Sequence, residues 1–568
     1  INNNSALTHI ELSLDSWPTA FNEGGFTRFE ITNNPNLEHF SVENSYGTNI
    51  LQSCNDVIID TNGSTNSNNL VLELDKLAQV NFSYPSYLRI ANNPKLQALN
   101  IGTAPTAPYS LLDEVEISNN AELLSIDIFN SDLTLLVVKK FNIHDNKRLQ
   151  SLGMDASLVS LAGDFLFEDN GTEGSGVDSI SFGNLSTELT ITCNVTFSGN
   201  NFVENTSESV TAIDLNAASI DGEFALTSNT PTTAPRVEVR GLGSVGKNLK
   251  IQDNTQLASL SFANLQIVDQ SLIVSNNTGL STLSFDVLES VATVGGTLEE
   301  PIFDLLIGPA DRDDVATSHP AITSLSLPKL NAVGSNDMDK AKLLIRLAEP
   351  SAQVAVGDGD CFSGVPLDVW GEVSVQAADN INLCTLQNVG LSQTEQFDLD
   401  LTWSALDSTY GLQSLETVSG TLVGLQSGDD ISRAGFSVLT SVGMHITINT
   451  PLILSGPGFG DLGDGFGNSL TNLGGLEISG TNISTTAGAF PGLTSIAGEL
   501  IFENNDLLQN PTLEILASAE GLTLSQNKFC TSGESFGDLA LTEVQLQALG
   551  LSGSGLQGLF SCSGAGCP

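Results

Sequence analysis

Short stretches of alternating apolar and polar residues recur along this chain, paired around an Asn turn and a lone Leu. Residues 88–101 read Leu-Arg-Ile-Ala-Asn-Asn-Pro-Lys-Leu-Gln-Ala-Leu-Asn-Ile, and residues 29–42, 115–128, 141–154, 249–262 and 272–285 follow the same template. Written out, it is apolar-x-apolar-x-x-Asn-x-x-Leu-x-x-apolar-x-apolar. A period of two on each side of the turn predicts two short strands, each with one face inward. No copy could bury its apolar face alone, so the copies must stack on one another.

Taking the template Asn as a marker, Asn34, Asn62, Asn93, Asn120, Asn146, Asn170, Asn194, Asn229, Asn254 and Asn277 are separated by 28, 31, 27, 26, 24, 24, 35, 25 and 23 residues. A drifting period of this kind suits a solenoid whose coils keep their core positions while loops on one side vary. Successive parallel strands sit about 4.8 Å apart, which would align the amides. An Asn amide carries two donors and an acceptor oxygen, so a stacked row can satisfy both itself and a buried turn. We therefore read the row as structural, because catalytic residues would not be copied ten times. Residues 199–216, between the last wide gap's two markers, read as a surface excursion.

The predicted organisation is an N-terminal cap over residues 1–28, holding Trp17, Pro18 and Phe21, and a first array with the Asn ladder over 29–290. An irregular joint follows over 291–350, then a second array with a C-terminal cap over 351–568. Within the joint, residues 337–348 (DMDKAKLLIRLA) predict a helix with Leu343, Leu344 and Leu347 on one face. This helix either separates two arrays or packs against one continuous solenoid. In the second array, 373–376, 422–425, 446–450, 476–480, 500–504 and 522–527 read as coil strands. Residues 414–422 (SLETVSGTL), 469–478 (SLTNLGGLEI) and 492–500 (GLTSIAGEL) place a Gly before the next strand, where it would let the chain turn tightly. Residues 542–549 predict a short helix shielding the last open strand edge.

Composition narrows the class. With 19 Lys and Arg against 66 Asp and Glu, the formal charge of −47 disfavours nucleic acid and anionic membrane surfaces as partners. Only 15% of residues are charged, so Ser, Thr, Asn and Gly must cover the surface, a balance common in extracellular glycoproteins. Phe supplies 26 aromatic residues against 3 Trp and 5 Tyr, which suits a dry interior with no polar handle to satisfy. No run of 18 or more apolar residues occurs. The start at Ile1, with no Met and no basic, apolar leader, reads as a processed N terminus.

Of the seven Cys, none lies at metal-ligand spacing, and disulfides are the expectation. Cys361 and Cys384 are about one coil apart, Cys530 with Cys562 would staple the C-terminal end, and Cys567 is the candidate free or intermolecular thiol. Asn-x-Ser/Thr sequons occur at Asn3, Asn62, Asn81, Asn170, Asn184, Asn194, Asn205, Asn276 and Asn482. Asn62, Asn194 and Asn276 lie in or beside the ladder, where an inward side chain could not carry a glycan. Asn81, Asn184 and Asn205 are the glycosylation candidates, given a eukaryotic secretory source.

The chemistry-bearing residues are sparse. His9, His39, His144, His319 and His445 form no Ser-His-Asp or Cys-His arrangement by spacing. His39 and His144 read as surface positions on strands. Asp311, Asp313 and Asp314, Asp358 with Asp360, and Asp429 with Asp430 are paired carboxylates of the kind a polysaccharide-active β-helix would use, and read as solvated acidic loops. Asp461 and Asp464 resemble a calcium loop without the spaced oxygens of an EF-hand, and structural calcium is the one cofactor considered. The Thr-rich segments 190–192 and 447–450 are isolated, whereas an ice-binding face would need a regular array.

The alternation of LxIxxNxxLxxLxF with LxxVxGxL, clearest at 249–285 and 411–504, resembles the receptor L-domain. This is the leucine-rich-repeat-like β-solenoid of insulin- and EGF-receptor ectodomains and fungal cell-wall glycoproteins. The resemblance covers about two thirds of the chain and implies an extracellular, non-catalytic, right-handed parallel β-solenoid. The expected function is a structural or adhesive glycoprotein of a cell-surface coat, wall or fibre, associating with itself or with surface proteins and glycans. A ligand-binding ectodomain and a polysaccharide-active enzyme are the alternatives.

Overall fold

The computed structural model describes residues 1–13, 28–43, 56–63, 70–73, 87–103, 110–130, 136–156, 159–182, 189–205, 211–215, 217–233, 235–292, 304–308, 322–335, 341–347, 353–356, 365–376, 380–391, 395–401, 412–425, 438–449, 470–480, 490, 492–505, 516 and 519–525. Among them every regular element is a β-strand, and neighbouring coils pair in parallel. The fold is a parallel β-solenoid, as the repeat predicts. The predicted cap over 542–549 lies outside the described residues. Two compact units divide the chain, one of residues 1–269 with 273–286 and one of 270–272 with 287–568.

In the first unit each coil carries a strand before the Asn turn and a strand after it. Eleven strands of the second kind, from His9–Ser13 to Thr282–Phe285, lie side by side in chain order. Strands of the first kind form the other sheet, and later coils add a short strand such as Val159–Leu161 or Ile267–Val268. Register holds from coil to coil, so that Val57, Leu88, Val115, Phe141, Phe165, Val195, Phe224 and Leu249 fall in one line. All eight are buried. A slip of one residue would turn this entire line outward, which is why the alternation fixes the register. Phe rings bridge coils through the interior: Phe141 meets Phe165 edge-on at 5.6 Å, and Phe262 stacks on Phe285 at 5.2 Å.

The Asn spine runs through the turn. Asn34, Asn62, Asn93, Asn120, Asn146, Asn170, Asn200, Asn229, Asn254 and Asn277 are all buried. Taking Asn120 as the example, its Nδ2 donates to Ile90 O of the preceding coil at 2.9 Å and to Asn146 Oδ1 of the next at 3.2 Å. Its Oδ1 accepts both the backbone N–H and the Nδ2 of Asn93, at 3.0 and 3.2 Å. Every polar site of the amide is therefore used, which is what burial demands. The residue before each spine Asn is left-handed: Asn33, Thr61, Asn92, Asn119, Asp145, Asp169, Gly199, Ser228, Asp253 and Asn276 all have φ between 52° and 66°. Asn, Asp and Gly tolerate that conformation best, and this explains the recurrent Asn-Asn and Asp-Asn pairs. Asn3, with φ 55°, and Asn4, whose N–H donates to Asn34 Oδ1, repeat the device within the residues expected to form a cap.

The seventh marker is corrected. Asn194 is not in the spine; Asn200 takes that place, bonded to Asn170 and Asn229 across intervals of 30 and 29 residues. Asn194 is half-buried at another corner of the coil, where its Oδ1 accepts the N–H of Glu223. Of the residues expected to form an excursion, 199–205 and 211–215 are described, and they belong to the coil. Gly199 and Asn200 make the turn, and Thr211–Asp214 is a regular strand of the sheet. The side chain of Asn276 is also not inward: it is exposed and donates to Asp253 Oδ1.

The second unit keeps the parallel coils with a different corner. The predicted helix over 337–348 is instead a strand, Lys342–Arg346, paired with Asp304–Ile307 and Val373–Gln376. Its outward Leu344 and Arg346 are buried along with its inward Leu343 and Ile345. A strand covered on both faces loses its period of two and mimics a helix face. The corner glycines have a cause other than dihedral freedom. A Cβ on Gly420 would lie 2.7 Å from the backbone of Phe397 in the preceding coil. Gly420 is not among the residues with positive φ. What Gly permits there is close approach of two backbones. Asn505, buried and bonded to Ile478 O, repeats the spine turn with Asn504 left-handed before it.

Candidate functional site

The densest polar grouping in the first unit lies on the outward face of the sheet that precedes the spine. Alternation sends Val57, Leu88, Val115 and Phe141 inward, so the residues between them point out. Register then lines up Arg89, Glu116 and Asn142 in one row, and Ala91, Ser118, His144 and Glu168 in the next. Tyr87 pairs with Glu114, which pairs with Lys140, in a third row.

Arg89 is the hub. Its Nη1 donates to Asp60 Oδ2 at 2.8 Å, and its Nε lies 3.3 Å from Glu116 Oε2 as an ionic contact without hydrogen-bond alignment. Tyr87 Oη donates to the same Glu116 oxygen, and Ser118 Oγ donates to Oε1 at 2.8 Å. Asn92 and Thr61 both donate to Asp60 Oδ1, at 2.9 and 2.7 Å. Beyond them, Lys140 pairs with Glu114 at 2.8 Å, and His144 Nδ1 lies 2.8 Å from Asp145 Oδ2.

The electrostatics hold Glu116, Tyr87 and Arg89 in their resting states. Partial burial pushes the Glu116 carboxyl up, but the Tyr87 and Ser118 hydroxyls and Arg89 outweigh it and keep the group below the usual range. Burial and the bond to Glu116 push the Tyr87 phenol up. Partial burial works against the Arg89 charge, and Asp60 and Glu116 more than restore it. General acid–base work needs groups poised near the operating pH, and Glu116, Tyr87 and Arg89 are moved away from it. The cluster can present charges and hydroxyls to a polar ligand.

Among the described residues of the second unit Asp304 is the most perturbed carboxyl, pushed up to about 6 by burial. Its Oδ1 accepts the Lys342 N–H at 3.0 Å, while the Lys342 ammonium turns to Glu372 at 2.9 Å.

Cys384 is in a disulfide. Its expected partner Cys361 lies outside the described residues, as do Cys530, Cys562 and Cys567. The described free thiol is Cys193, a position the spacing did not single out, with Sγ 3.1 Å from Ala162 O. Asp311, Asp313, Asp314, Asp358, Asp360, Asp429, Asp430, Asp461 and Asp464 all lie outside the described residues, with Asn81, Asn184 and Asn482. Asn205 is half-buried, and the sequons at Asn62 and Asn170 are closed to glycans because those amides are buried spine members. Among the described residues no group of three or more His, Cys, Asp or Glu gathers for a metal. No protein-family model matches the chain, and no solved structure matches it.

Proposed function

We propose that this chain is a non-catalytic structural or adhesive glycoprotein of the cell surface, a stiff β-solenoid subunit that assembles into a coat, wall or fibre. The observation that carries the reading is the Asn spine. Ten buried amides, each bonded to the neighbouring rung and all but the last bonded on both sides, commit the interior to holding neighbouring coils in one register. Such an interior gives stiffness. The resemblance of the template to receptor L-domains points the same way, toward an extracellular setting, and partners would be further copies or surface proteins and glycans. Electron micrographs of material isolated from its source test the proposal: filaments or sheets support it, and monodisperse single chains overturn it.

A ligand-binding ectodomain is the second reading, favoured by the outward cluster around Arg89 and Glu116. Four successive coils contribute to it, and its charges are held fixed. If this reading is right, Arg89→Ala abolishes binding to a glycan or peptide that the unaltered chain retains on an array.

A further inference from the structure

His9 and His39 stand on neighbouring strands of the sheet that follows the spine. Their Cα atoms are register partners, and Ile10 and Phe40, the next residues along, point inward and are buried. Both imidazoles therefore face outward on the same side. His9 is exposed and His39 half-exposed. Their ring centroids lie 6.0 Å apart with the planes tilted by 39°.

We propose that His9 and His39 form a two-imidazole site for a divalent transition-metal ion of the Zn²⁺, Ni²⁺ and Cu²⁺ class. Imidazole is the ligand these ions share. A metal–nitrogen bond of about 2.0–2.1 Å on each ring places the two centroids roughly 5–6 Å apart, depending on the angle at the metal. The separation in the unloaded pair already falls at the upper end of that range. His9 Nδ1 lies 3.1 Å from Thr8 Oγ1. This bond occupies one ring nitrogen and leaves Nε2 for an ion, the division of labour usual in histidine ligation. The parallel register that lines up spine and core thus also brings the two rings together. Because no third His, Cys, Asp or Glu gathers with them among the described residues, water or a ligand from outside would complete the coordination sphere. The formal charge of −47 raises the local concentration of any cation.

The test is a titration of the full chain with NiCl₂, followed by calorimetry and by the ring signals of the five histidines in NMR spectra. The expected result is 1:1 binding in which the signals of His9 and His39 change together and before those of His144, His319 and His445. His9→Ala and His39→Ala should each weaken binding roughly tenfold or more, since each removes one of two imidazole ligands, and His445→Ala should leave it unchanged. If the single variants bind Ni²⁺ as the unaltered chain does, the acidic surface is holding the ion and the proposal is wrong. It is equally wrong if other histidine signals respond first.

Discussion

A single spine Asn touches three coils, and its loss is felt in all three. In Asn120→Ala the Asn93 N–H loses its acceptor in the coil before, while the Ile90 carbonyl and, in the coil after, Asn146 Oδ1 each lose a donor. Each orphaned buried group costs about 1–3 kcal/mol, so urea unfolding should show a loss on the order of 3 kcal/mol or more. Asn120→Asp removes both donors and adds a buried carboxyl whose folded-state pKa must rise. Its deficit should therefore be small in acid and grow as pH rises toward neutrality. The same logic separates two candidates for one rung. Asn200→Ala should cost as much as Asn120→Ala, whereas Asn194→Ala, at a half-buried corner, should cost about 1 kcal/mol. At Asp304 the sign is opposite to that of most acids. Its folded pKa of about 6 exceeds the unfolded value, so its ionisation weakens the fold as pH rises from about 4 through 6. Asp304→Asn keeps an acceptor for the Lys342 N–H and should stabilise the protein by roughly 2 kcal/mol at pH 7, with no gain at pH 3.5.

Strands and turns were legible in the sequence to different depths. Where one face is buried and the other wet, as at Leu249–Gln252 and Ser259–Phe262, alternation reveals the strand and its inward residues. Where both faces are covered, as at Lys342–Arg346, that alternation is gone and Lys, Leu and Arg suggest a helix. Counting intervals alone misplaced one rung. The left-handed residue before each spine Asn was the missing signal, because Cys193-Asn194 lacks it and Gly199-Asn200 has it. The cluster around Arg89 could not be found without register, since Asp60, Arg89 and Glu116 are each about one coil apart in sequence. The corner glycines are visible in the sequence, but close backbone approach rather than a tight turn is what requires them. Gly163 illustrates the actual constraint: a Cβ there would fall on the Lys139 carbonyl of the preceding coil. Gly163→Ala should accordingly lower the melting temperature, by the equivalent of about 1–3 kcal/mol. A Gly→Ala change in an open loop should not.

At the scale of the whole molecule, a charge of −47 on 568 residues works against compactness. Ion pairs such as Lys147 with Glu173 and Arg28 with Glu30 are exposed on both sides and contribute little. Raising NaCl from 10 mM to 300 mM shortens the Debye length from about 30 Å to well under 10 Å. It should therefore raise the melting temperature, whereas a fold held by surface pairs would lose stability. The spine has a different property, which follows from its one-way bonding. Every interior rung receives from its predecessor the same kind of bond that it gives to its successor, so two cut ends within the spine match. Excising residues 120–145 would join Asn119 directly to Asn146 and leave an unbroken sequence of rungs. Such a protein should fold cooperatively with one coil fewer, and genes of this design can lengthen or shorten by duplication or loss of whole modules.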